Sequence, residues 1–133
     1  MNLGETYYRL EHLWVVISQP DPLTGDVVLV SFTKWLQNKE QTCIIAVGEH
    51  PFITLKTVVC YRDAFVCPPN EQVRFAAGAE QREDVSPELL QRIQEGADES
   101  DRILGKCRRL VVESCRRQRE ARRAAEEVER FAG

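Results

Sequence analysis

Four short runs between Leu13 and Val66 constrain this chain more than anything else in it. Leu13-Trp-Val-Val-Ile17, Val27-Val-Leu-Val-Ser-Phe-Thr33, Thr42-Cys-Ile-Ile-Ala-Val47 and Thr57-Val-Val-Cys-Tyr61 are rich in β-branched and aromatic residues, and compact polar breaks separate them. Side chains of that shape fit a pleated, half-buried surface, so the runs read as strands of one small sheet or barrel. A barrel of this size is filled by its own side chains. Chemistry is therefore expected on its rim, in loops and at strand ends.

The 133 residues make about one domain, and 43% hydrophobic against 29% charged residues is the balance of an ordinary folded protein. No apolar run approaches the ~18 residues that span a bilayer, and Met1-Asn-Leu-Gly-Glu5 lacks the regions of a signal peptide, so a cytoplasmic location is expected. Five cysteines, at 43, 60, 67, 107 and 115, form no CxxC pair. That odd count argues against a disulfide framework and a conventional zinc site. Cys43 and Cys60 read as buried strand filler. No metal and no cofactor is expected.

Three regions follow one another. Residues 2–68 are strand-rich, Pro69 to Asp84 reads as a polar connector, and from Val85 the apolar period changes from two to about 3.6. Ser86, Pro87 and Glu88 mark a helix start, and Leu89, Leu90, Ile93 and Ala97 form its apolar stripe, with Gly96 a weak point. Gly105 reads as the cap of that helix, and Lys106 to Phe131 as a second one. The expected division is 1–105 as barrel with packing helix and 106–133 as a charged helical extension.

Charge supports that division. Residues 1–105 carry net −7 and residues 106–133 net +4. Such a tail can fold back on its body, pair with a second copy or reach for an acidic partner. The arginines from Arg108 to Arg123 could meet phosphate, but interleaved glutamates and the lack of alternating aromatics favour a salt-bridged solvated face. Its last turns are expected to project or await a partner, and removing 106–133 is expected to leave the barrel folded.

Residues able to do chemistry are few. His12 and His50 are the only side chains that titrate near neutrality without help, and no GxSxG, HExxH, P-loop or GxGxxG occurs. A thiol nucleophile at Cys43, Cys60 or Cys67 has no electropositive surroundings to mark it. Ser18, Ser31, Thr33, Arg62 and Asp63 lie at strand ends. Alternation puts Ser31 and Thr33 on one side of their strand and Phe32 on the other. Arg62-Asp63 reads as a surface ion pair or as a cation held near phosphate.

The order of these elements resembles the PemK/MazF family of toxin ribonucleases. The resemblance runs from Glu5-Thr-Tyr-Tyr-Arg9 through His12-Leu-Trp-Val-Val-Ile-Ser18, Asp26-Val-Val-Leu-Val-Ser-Phe-Thr33, Val47-Gly-Glu-His-Pro51 and Thr57-Val-Val-Cys-Tyr-Arg-Asp63 to the Ser86-Pro-Glu-Leu helix. It covers about residues 5–100 at the level of pattern. It implies an α+β fold, a small SH3-like β-barrel followed by C-terminal helices, and a toxin-like endoribonuclease that cleaves RNA without metal. It also implies a two-fold homodimer and an antitoxin protein as partner.

Carried onto this chain, the family's strand-end hydroxyl matches Thr33 or Ser31. Its arginine has no counterpart, because Glu11-His12 stands where Arg-Pro is usual, and the preceding long loop is nearly absent. His12 is then expected to act as acid or base and Arg62 as the cation, with Lys34, Lys56 and Asp63 contacting RNA. The alternative is a barrel without catalysis that serves as a protein-interaction or RNA-binding module.

Overall fold

The computed structural model describes residues 1–132. Its elements are β1 (Thr6–Arg9), β2 (His12–Val16), β3 (Val27–Lys34), β4 (Ile44–Ile45), β5 (Thr57–Cys67), α1 (Pro69–Ala77), β6 (Glu80–Arg82), α2 (Pro87–Glu99) and α3 (Gly105–Ala132). The six strands form one antiparallel sheet in the order β4-β5-β3-β2-β1-β6. With β4 and β6 at opposite edges the sheet is a curled half-barrel, and the fold class is α+β.

Alternation along the strands sorts the apolar residues onto two faces. Leu13, Val15, Ile17, Val28, Val30, Phe32, Val59 and Tyr61 point to one face, where Leu89, Ile93 and Ala97 of α2 and Cys107 and Val111 of α3 complete a single core. Val16, Val27, Leu29 and Cys67 point to the other, where Tyr7 and Phe75 of α1 join them. The packing thus continues past residue 105.

The stretch read from sequence as a connector is instead α1 and the edge strand β6. Its signals are weak because so little of it is buried. Only Gln72 and Phe75 of α1 lose their solvent, and Gln72 does so as a polar tie, its Nε2 donating to Gly25 O and Cys67 O at 2.9 Å each. The Glu-Gln-Arg sequence of β6 suits an edge, where charge discourages further pairing.

A second difference concerns glycine. Gly105 opens α3, and α2 ends earlier, at Glu99, with Ser100 as its cap. Gly96 is no mere weak point: Tyr61 Oη donates to Ile93 O at 2.7 Å, and a Cβ on Gly96 would meet that Oη at 2.1 Å. The helix carries glycine there because a tyrosine from the sheet crosses its surface.

Two irregularities shape the open end of the sheet. The β1–β2 turn has only Leu10 and Glu11 between the paired Arg9 and His12, with φ of 51° and 66°. Both residues sit in the left-handed region that a two-residue hairpin of this twist requires, and neither is the glycine or asparagine that accepts it cheaply. On β5 a bulge opposes Tyr61 to Ala64 to the single residue Val30, between the pairs Ser31–Cys60 and Leu29–Phe65. The extra chain turns Arg62 and Asp63 outward.

Candidate functional site

The second face of the sheet is covered at one end and open at the other. Phe75 caps the covered end, its ring within 6.3 Å of the rings of Tyr7, Trp14 and Phe65. Beyond Trp14 the helix stops. Pairing runs Trp14–Ser31–Cys60 across β2, β3 and β5, and the next row contains Thr33 and Val58. The β2–β3 pairing ends at Trp14–Ser31, and His12 lies just beyond it, against the backbone of β3 at Phe32.

The two histidines have different fates. His50 is 2% exposed; its Nδ1 accepts from the Phe52 N–H at 3.0 Å, so its Nε2–H donates to Glu83 O at 2.6 Å. Both nitrogens are committed to tying the loop before β5 to the chain before α2. His12 is exposed, and its Nδ1 lies 3.2 Å from Phe32 O. A carbonyl can only accept, so that nitrogen carries the proton and Nε2 keeps a free lone pair facing solvent. His12 is thus the one histidine equipped to take a proton.

Thr33 and Arg62 line a small cavity of about 100 Å³ together with Lys39, Glu40, Cys60 and Arg102. Three cations converge on a hollow with room for a phosphate-sized group. The ion pair of Arg62 with Asp63 is loose, at 3.7 Å between well-exposed side chains, and leaves the guanidinium free to engage an anion. Glu40 sets one carboxylate among these cations: its Oε2 accepts from Thr42 Oγ1 at 2.8 Å and from Ser100 Oγ at 2.6 Å, while its buried Oε1 has no hydrogen-bond partner.

The remaining sequence-derived candidates are less well placed. Ser31 is 3% exposed in the sheet between Trp14 and Cys60, so of the two hydroxyls Thr33 is the accessible one. Lys34 is exposed at the end of β3. Lys56 Nζ lies 4.4 Å from the centre of the Trp35 ring, a cation held against an aromatic face at the same strand end. Asp63 accepts from Cys60 Sγ at 3.3 Å. Burial and then Asp63 push the Cys60 thiol above its ordinary range, and burial does the same to Cys43 and Cys67. At neutral pH these are thiols, not nucleophiles.

Sequence reasoning missed Lys39 and Arg102. Neither belongs to a periodic run; each sits in a loop, and only the fold brings them to β5. Among the described residues no group of three His, Cys, Asp or Glu side chains is placed to hold a metal ion.

A larger groove, about 640 Å³, runs between α2 and α3. Glu88, Glu95 and Asp98 wall one side, with Arg119 and Arg122 on the other. That acidic wall disfavours a phosphate ligand, and no histidine lines it. Among the described residues no helix is long and apolar enough to cross a membrane. No family model, curated protein or solved structure matches this chain.

Proposed function

We propose that this protein is a PemK/MazF-like endoribonuclease, built on an SH3-like half-barrel, that cleaves single-stranded RNA at the open end of its sheet. The observation that carries the reading is His12 held by Nδ1 against the O of Phe32, the residue before Thr33, with its Nε2 uncommitted; Thr33 lines a small hollow with Lys39, Arg62 and Arg102. Phosphodiester transesterification needs a proton acceptor and charge stabilisation at the phosphate. In this reading His12 Nε2 takes the proton of the ribose 2′-hydroxyl, whose oxygen attacks phosphorus. The bond to the 5′-oxygen breaks, a 2′,3′-cyclic phosphate forms, and water at this exposed face protonates the leaving oxygen. Arg62 and Arg102 stabilise the crowded anionic phosphorane, and Thr33 Oγ1 hydrogen-bonds one of its oxygens. Lys34 and Lys56 hold the flanking backbone. Such an enzyme would act in the cytoplasm and be held in check by a protein antitoxin.

Purified protein should cut single-stranded RNA in the presence of EDTA and leave 2′,3′-cyclic ends. His12→Ala and Arg62→Ala should each slow cleavage by ~10²-fold or more, the scale of a lost acid–base or charge-stabilising group. Because both side chains are exposed, neither change should shift the melting temperature appreciably. Wild-type protein that binds RNA but leaves varied sequences uncut at micromolar concentration would reduce the site to a binding surface.

A further inference from the structure

The helix α3 outruns everything it packs against. It has 28 residues against 13 in α2, or about 42 Å against about 20 Å at 1.5 Å per residue. Its first half belongs to the body: Cys107 and Val111 are in the core, Ser114 Oγ accepts from the Gln19 N–H at 2.8 Å, and Gln118 Oε1 accepts from Gln94 Nε2 at 3.1 Å. From Arg119 to Ala132 every residue is exposed, including Val128 at 69% and Phe131 at 85%. The buried face does not end at that point in sequence. Val111, Ser114, Gln118, Ala121, Ala125, Val128 and Ala132 follow spacings of three and four in strict alternation, the repeat of a coiled-coil seam.

Charge along the overhang is polarised. Arg119, Arg122 and Arg123 outweigh Glu120 at its start, and Glu126, Glu127 and Glu129 outweigh Arg130 at its end. A segment basic at one end and acidic at the other is complementary to itself when turned around. We propose that the overhang of α3 is an interface for a second copy of this chain, the two helices running antiparallel about a two-fold axis.

The seam fixes one register. Ala121 faces the partner's Ala132, and Ala125 faces the partner's Val128. On one flank of this seam Arg122 then lies opposite the partner's Glu129, and on the other Ala124 lies opposite the partner's Phe131. Each contact occurs twice, as a two-fold axis requires. The alanines allow close approach, and the otherwise stranded Phe131 ring gains a small residue to cover. A parallel pair would instead set Arg117 against the partner's Arg122, like against like. The interface uses none of the residues assigned to the proposed RNA site. It lies at the small end of specific interfaces, so the dimer should dissociate at about micromolar concentration.

Sedimentation velocity on the full chain, from sub-micromolar to about 200 µM, tests this. Wild type should pass from monomer to dimer over that range. Arg122→Glu and Glu129→Arg should each weaken the dimer by ~10-fold or more, because each places like charges in both flanking contacts. The double variant Arg122→Glu/Glu129→Arg should recover wild-type association, since the swap restores both pairs. Monomer melting temperatures should stay the same in all four proteins, because both side chains are exposed and lie beyond the buried half of the helix. A wild type monomeric at every concentration would overturn the proposal. So would a dimer indifferent to both single variants, or single-variant losses that the double does not restore.

Discussion

The two faces of the sheet are made from the same strands, residue by residue in alternation, yet they have opposite characters. One is sealed by α2 and the first half of α3, and Tyr61 reaches through it to the α2 backbone. The other is sealed only as far as Trp14, where α1 and Phe75 stop. Polar groups packed with the sealed face are tied down: His50 uses both ring nitrogens, and Ser114 and Gln94 bond backbone. On the open end His12 has an uncommitted nitrogen, and Arg62 has only a loose partner. Locking stabilises; leaving groups free to bind or react is what a site requires. The comparison predicts that substitutions on the sealed face change stability, and that those at the open end change chemistry.

The largest effect should come from removing residues 106–133. Sequence alone led us to expect a barrel that survives this deletion, but Cys107 and Val111 are fully buried in the strand core, with Leu110 and Cys115 packed against it. Each buried aliphatic side chain contributes about 1.5–3 kcal/mol, and small domains have only ~5–15 kcal/mol in total. The truncated chain should therefore be insoluble or melt tens of degrees lower in circular dichroism. A truncation with the parent melting temperature would mean that the sealed face does not need its second helix.

Gly96→Ala should be next. Alanine ordinarily favours a helix interior by ~1 kcal/mol over glycine. Here its methyl would collide with Tyr61 Oη, and since Tyr61 is 0% exposed its ring has little room to retreat. A net loss of about 1–3 kcal/mol by urea denaturation is expected, the range for overpacking. Recovery in Gly96→Ala/Tyr61→Phe would locate the strain at the hydroxyl, although that change also gives up the bond to Ile93 O.

Which parts of this were legible in the sequence follows from how much each residue buries. Strands β2, β3 and β5 and helix α2 were readable, because long apolar periods and a Ser-Pro-Glu start leave little choice. Helix α1 was not: a single aromatic anchors it, and one phenylalanine makes no period. The role of Gly96 was hidden because its reason is Tyr61, remote in sequence. Of the candidate site residues proposed from residue chemistry and strand position, Thr33 and Arg62 line one hollow, and His12 lies against β3 at Phe32. Lys39 and Arg102 were invisible, since loop cations show no pattern until the chain folds. The sequence also could not separate Ser31 from Thr33, because alternation gives a face but not its cover.

The turn that delivers His12 to the open end offers a smaller test, in the stabilising direction. Leu10 and Glu11 both hold positive φ, and Leu10 is 77% exposed, so its side chain gains nothing from packing. Leu10→Asn/Glu11→Gly supplies the pair that such turns prefer and should raise stability by about 1 kcal/mol. If cleavage survives unchanged, the strain is incidental to the site. Loss of cleavage with a higher melting temperature would show that the turn's present shape aims the imidazole.

The smallest effect concerns Cys60, the only half-buried thiol at the rim of the cavity. Its pKa is raised by burial first and then by Asp63, which both accepts its S–H and repels its thiolate. A raised pKa means that the thiolate appears only above the usual thiol range, so between about pH 7 and 8.5 alkylation by iodoacetamide should lag a free cysteine several-fold. Asp63→Asn keeps an acceptor of similar size but removes the charge. The rate at pH 8 should then rise by a few-fold, with no change in melting temperature because Asp63 is exposed. A rate already equal to that of free cysteine in the wild type would mean that the hollow beside Arg62 is wetter and less confined than the sheet geometry makes it.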